Sequence, residues 1–96
     1  MRKIKLAVVG PSDSVALIEE VAAEYKDRIQ TLSCIYNDAS EVPATIAEHD
    51  VNVDMWVFSG IVPYRYAIEC QQSIKPKLYV AHTGSSIYRV LLQMLK

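Results

Sequence analysis

Three short stretches hold the residues whose types and spacing could do chemistry: Gly10-Pro11-Ser12-Asp13-Ser14, Ser59-Gly60 followed by Tyr64, and His82-Thr83-Gly84-Ser85-Ser86. Each joins a glycine to small hydroxyl side chains, a combination that lets backbone N–H groups and hydroxyls come close to an anion. The chemistry expected of them is the holding of a carboxylate, a phosphate or a polar neutral molecule. Each also has a plainer use, because Ser, Thr and Asp before a helix are ordinary caps and Gly at a strand end is ordinary turn chemistry. Asp13 serves equally as a ligand-orienting group or as a cap. Tyr64 can supply an aromatic wall, and His82 a hydrogen bond to ligand.

No catalytic residue, metal ligand or cofactor is expected. His82 has no Ser or Cys tied to it by motif, and the chain's two histidines fall on different elements. A phosphate-binding GxGxxG or GxxxxGK[ST] loop and the GxSxG nucleophile elbow are missing. A phosphoacceptor receiver domain needs paired acids after the first strand and an Asp ending the third, where this chain has Gly10-Pro11 and Ser59-Gly60. A phosphotransferase IIB domain needs a Cys where the first loop offers Ser12. Cys34 and Cys70 lack CxxC spacing and read as buried, reduced thiols.

The elements that must position these loops alternate in type. Ile4-Lys5-Leu6-Ala7-Val8-Val9 is a near-continuous apolar run of the kind a central parallel strand shows, and Gly10-Pro11 ends it. With Ser12, Asp13 or Ser14 as cap, Val15, Ile18, Val21, Ala22 and Tyr25 fall at helical spacing, giving a helix to about Lys26. Residues 29–36 read as a second strand, stopped by the turn pair Asn37-Asp38. Ser40 then caps a short helix, with Pro43 in its first turn and Val42, Ile46 and Ala47 facing inward, that ends near Asp50. A third strand over 53–58, with Trp56 in the core, leads through Ser59-Gly60 and Pro63 into a third helix. A fourth strand over 77–81 runs into a last amphipathic helix with Ile87, Val90, Leu91 and Leu95 at core spacing. Four successive βα units predict an α/β fold: an open, doubly wound, flavodoxin-like parallel sheet of order 2-1-3-4 with helices on both faces. All three glycines then mark strand C-termini, the edge where such sheets bind ligands.

Composition bounds the partners. The chain has 96 residues, 51% of them hydrophobic and 22% charged, which fits one folded domain. Ten Lys+Arg against eleven Asp+Glu give a net charge of -1. Direct nucleic-acid contact by this segment is not expected, since no stretch gathers basic residues into a phosphate-neutralising patch. Lys5 interrupts an N-terminal apolar run too short for a signal or a membrane span, so a cytoplasmic location and no membrane partner are expected. A fifth βα unit, usual in this fold, is lacking, so residues 1–96 read as an N-terminal lobe of a longer protein; the alternative is a homodimer through strand four or the last helix.

Two stretches carry a resemblance. Val53-Asp54-Met55-Trp56-Val57-Phe58-Ser59-Gly60 and the stretch from Leu78 through His82-Thr83-Gly84-Ser85-Ser86 to Leu91 resemble the first lobe of the N-terminal sensor domain of propionate-catabolism-activator-type transcription regulators. Ser59, Gly60, Gly84 and Ser85 sit at comparable positions, whereas the family's Arg-Gly-Gly after strand three is replaced by Gly60-Ile61-Val62-Pro63-Tyr64. The resemblance implies a cytoplasmic domain that senses a small-molecule or anionic effector, with DNA contact made elsewhere in a longer chain. A substrate lobe of an enzyme and a dimerising interaction module are the alternatives.

Overall fold

The computed structural model describes residues 3–80 and 84–94, without the side chains of 84–86 and 94. Four strands, β1 (Ile4–Gly10), β2 (Ile29–Ile35), β3 (Met55–Phe58) and β4 (Lys77–Tyr79), form one parallel sheet of order β2-β1-β3-β4. Four helices alternate with them: α1 (Ser12–Ala22), α2 (Val42–His49), α3 (Ile61–Cys70) and α4 (Gly84–Met94). The flavodoxin-like order expected from the sequence is the order observed.

The near-continuous apolar run of β1 is explained by its place. Its alternate residues feed two cores: Leu6 and Val8 pack with Val15, Ile18, Ile87 and Leu91 on the face covered by α1 and α4. Ala7 and Val9 pack with Val42, Ile46, Trp56, Phe58 and Ala67 on the face covered by α2 and α3. A strand buried on both sides has no position to give to water. The exception is Lys5, exposed at the start of the strand, whose backbone N–H donates to Asp54 Oδ2 at 2.8 Å while its carbonyl accepts from the Asp54 N–H at 2.7 Å. Asp54 thus closes the ladder at this end with its side chain, and β3 begins at Met55 rather than at Val53.

Other boundaries shift for local reasons. The expected helix over 12–26 is α1 followed by a 3-10 turn, Ala23–Tyr25. Ser40 does not cap the second helix: Asp38 accepts from the Ser40 N–H at 2.9 Å, and Glu41 reaches back to the Asp38 N–H at 2.8 Å, a reciprocal capping box that opens a 3-10 turn before α2. Ala47 is exposed, because the α2 stripe that meets the core runs through Val42 and Ile46. Cys34 is buried as expected and burial, together with the Glu48 charge, pushes its thiol up to about 11. Cys70 is only half-buried, its Sγ donating to the Ala67 carbonyl. Ala81 and Leu95 lie outside the described residues.

Candidate functional site

In a sheet of this order the connection from β1 leads toward β2 over one face, and that from β3 leads toward β4 over the other. Between them, at the C-terminal ends of β1 and β3, a crevice opens. The residues around it are those that the two loops place there. Ser59 follows β3 directly and remains registered against β1, its N–H donating to the Val9 carbonyl at 3.0 Å. Its side chain lies against Gly10: a Cβ on Gly10 would stand 2.1 Å from Ser59 Oγ and 2.7 Å from Ser59 Cβ. Only a residue without a Cβ fits beside Ser59.

Ser59 is 4% exposed, the one buried polar residue among those described, and its Oγ has no hydrogen-bond partner among them. A buried hydroxyl without a partner costs about 1–3 kcal/mol. Tyr36, just past β2 and tied to β1 by its N–H donating to the Gly10 carbonyl at 3.1 Å, comes near it. Burial raises the Tyr36 phenol above its ordinary value, the Ser59 hydroxyl acts the other way and the Asp38 carboxylate adds to the rise. The two hydroxyls influence each other but close no bond of good geometry.

Helix N-termini border the crevice on both sides. The N-cap of α1 is Pro11, not Ser12, Asp13 or Ser14, and no side chain caps it among the described residues. Those three residues form the first turn itself; Asp13 accepts from the Ser14 N–H at 3.0 Å. The N-cap of α3 is Gly60, with φ 148° and ψ 176°, a backbone open to glycine and strained for other residues, and it too brings no capping side chain. The 3-10 turn that precedes α2 differs in having a complete capping box, although the N-cap of α2 itself, Glu41, brings no capping side chain. Apart from the Ser14 N–H, which Asp13 takes, no side chain caps the first N–H groups of α1 and α3 among the described residues, and each helix end carries roughly half a positive charge.

Two hollows meet at Ser59. The larger, about 490 Å3, is walled by Pro11, Tyr36, Ser59 and Gly60 on one side and by Ile61, Val62, Pro63, Tyr79 and Val80 on the other. The smaller, about 220 Å3, lies on the α1 side between Asp13, Ser14, Leu17, Ile18, Ser59, Val80 and Ile87. Of the residues expected at the site, Asp13, Ser14, Ser59 and Gly60 line these hollows and Gly10 lies against Ser59, whereas Ser12, exposed in the first turn of α1, lines neither. Tyr64 lies one layer behind it, packed edge-on to Phe58 at 6.2 Å and 4.9 Å from the Tyr79 ring, so that Tyr79 forms the wall and Tyr64 backs it. Gly84, Ser85 and Ser86 form the first turn of α4, with their side chains outside the description, and His82 and Thr83 lie outside the described residues.

Tyr36, Tyr79 and Val62 were not expected at the site. The signal was available for Tyr36, an aromatic residue ending the strand next to the glycine loop. For Tyr79 and Val62 it was not, because their place depends on how far α3 stands from the end of β4.

Comparison of the chain with family models, with curated proteins and with solved structures finds no match. The regulator resemblance therefore rests on the residues quoted for it alone.

Proposed function

We propose that this chain is a small-molecule effector-sensing domain of a cytoplasmic transcription regulator, which holds its ligand at the C-terminal ends of β1 and β3. The observation that carries the binding half is Ser59: a hydroxyl buried without a partner, between two helix N-termini that no side chain caps. A ligand oxygen at this place would satisfy Ser59 and the free N–H groups together. The regulatory half rests on the resemblance of 53–60 and 78–91 and on the want of a nucleophile–base motif in the sequence.

The binding half is tested by a metabolite screen read as thermal shift. Compounds that raise the melting temperature should lose that effect in Ser59→Ala and in Gly60→Ala; hits indifferent to both variants overturn the site. For the regulatory half, the reading frame of the gene is decisive. A helix-turn-helix pattern in the same frame supports the sensor, and a catalytic domain there makes this the substrate lobe of an enzyme instead.

One observation favours a second reading, self-association. Strand β4 pairs only with β3 among the described residues, and its last residue, Tyr79, is 45% exposed, with Ile74 shortly before the strand fully exposed. Sedimentation at high concentration decides: a strict monomer removes this reading.

A further inference from the structure

The walls of the crevice say more about the ligand than that it binds. We infer that the occupant is a small monocarboxylate with an aromatic or branched apolar body, its carboxylate at Ser59 and its body in the hollow under Tyr79. This deepens the binding reading above and rests on it.

Three observations carry the choice. The larger hollow, at about 490 Å3, falls in the range of roughly 300–1,000 Å3 seen for small-molecule sites and is far roomier than a bare anion needs. Its side walls are apolar along Ile61, Val62, Pro63 and Val80, so a body that fills it gains by leaving water. The only polar groups on the side chains of its wall are the hydroxyls of Ser59, Tyr36 and Tyr79, and no charged side chain lines it among the described residues.

Charge arithmetic then selects the anion. Two helix N-termini supply about half a unit of positive charge each, roughly one unit in total. A carboxylate matches that; a phosphate monoester, at about -1.5 to -2 near neutral pH, exceeds it. Asp13, in the first turn of α1 and in the wall of the smaller hollow, offsets part of that positive charge, which weighs against a doubly charged anion more than against a singly charged one. Hydrogen-bond donors are limited in the same way. Pro63 removes one N–H from the first turn of α3, and the Ser14 N–H is taken by Asp13, which leaves two or so from each helix plus the hydroxyls. That set suits two oxygens better than a phosphate's three with their extra charge.

The experiment is an amide-resolved NMR titration of the 96-residue chain with phenylacetate, acetate, inorganic phosphate and AMP. Phenylacetate is expected to shift the amides of Ser59, Gly60, Ile61 and Val62, with a Kd at least about tenfold below those of acetate and phosphate, as burial of an aromatic ring implies. Val62→Asp should weaken phenylacetate by a further factor of about ten while the helix, which accepts an acid in its first turn, stays folded. Tyr79→Ala should weaken phenylacetate and leave acetate unchanged. If phosphate or AMP binds these amides more tightly, or acetate equally well, the ligand class is overturned and the site stands. If none of the four anions moves them, the site reading itself falls.

Discussion

Gly10 and Ser59 hold each other in place across the sheet, and neither can change alone without consequence. A Cβ on Gly10 would overlap both side-chain atoms of Ser59, and Cβ, unlike a flexible chain end, cannot swing away. Gly10→Ala is therefore expected to cost about 1–3 kcal/mol, as overpacking does. In a double-mutant cycle followed by urea denaturation, Gly10→Ala should couple more strongly to Ser59→Gly than to Ser59→Ala, because the alanine keeps the 2.7 Å contact. Equal coupling would show that the clash is with the hydroxyl only. Ser59→Ala by itself has the opposite sign: it removes an unpartnered buried hydroxyl and should stabilise the free protein by about 1 kcal/mol. A residue that lowers stability where it stands is one held there for another purpose, and a gain in stability coupled to loss of binding is the signature expected of it.

At the scale of elements, the ends are where sequence and structure part. The strands and helices were legible because apolar period and length distinguish a doubly buried strand such as 4–10 from an amphipathic helix such as 12–22 without reference to neighbours. Ends are settled by single hydrogen bonds that several nearby residues compete to make. Asp38 displaces Ser40 as cap because Glu41 stands three residues on and can reciprocate, and Asp54 shortens β3 because its carboxylate reaches the Lys5 N–H. The edge that holds the candidate site was readable from Gly10 and Gly60 at the ends of β1 and β3; its apolar wall was not, since it comes from residues that look like ordinary packing. Two predictions belong to ends. Gln71, closing α3, has φ 51°, in the left-handed region that favours glycine. Gln71→Gly should raise stability by about 1 kcal/mol, read as a rise of about 4–8 °C in Tm. At the opposite edge of the sheet, Asp50 accepts from Trp56 Nε1 at 2.8 Å and Ser73 Oγ at 2.6 Å, beside Lys75 and Lys77, and so ties the entry of β4 to that of β3. Burial alone would raise its carboxyl, but the hydrogen bonds from Ser73 and Trp56 and the two lysine charges outweigh it and hold the group below the ordinary 3.8. The stability it lends is present above that ordinary value and is lost as pH falls through the lower folded one. The urea midpoint should drop as pH is taken below about 4, the usual carboxylate range, and Asp50→Asn should flatten that part of the profile; an unchanged slope would place the acid sensitivity elsewhere.

For the whole molecule, the crevice matters because it lies between helices packed on opposite faces of the sheet. Helix α1 belongs to the core shared with α4, and α3 to the core shared with α2. A ligand between their N-termini is thus a bridge across the two faces, and it binds the folded chain only. At about one hundred times its Kd such a ligand adds about 2.7 kcal/mol to the stability of the fold. For a domain of this size each kcal/mol raises Tm by about 4–8 °C, so a shift of about 10–20 °C is expected with phenylacetate at that saturation. Overall stabilisation alone would not distinguish a bridge from a ligand seated on one helix. Local opening does, because the first turns of helices open well below the global unfolding energy. Hydrogen exchange should slow under ligand at 12–15 and at 61–64 together, while the turn over 38–41, already closed by its own capping box, should change little. Protection confined to one helix would mean that the ligand leaves the two faces uncoupled, and a domain built that way could bind an effector without conveying its presence from one side of the sheet to the other.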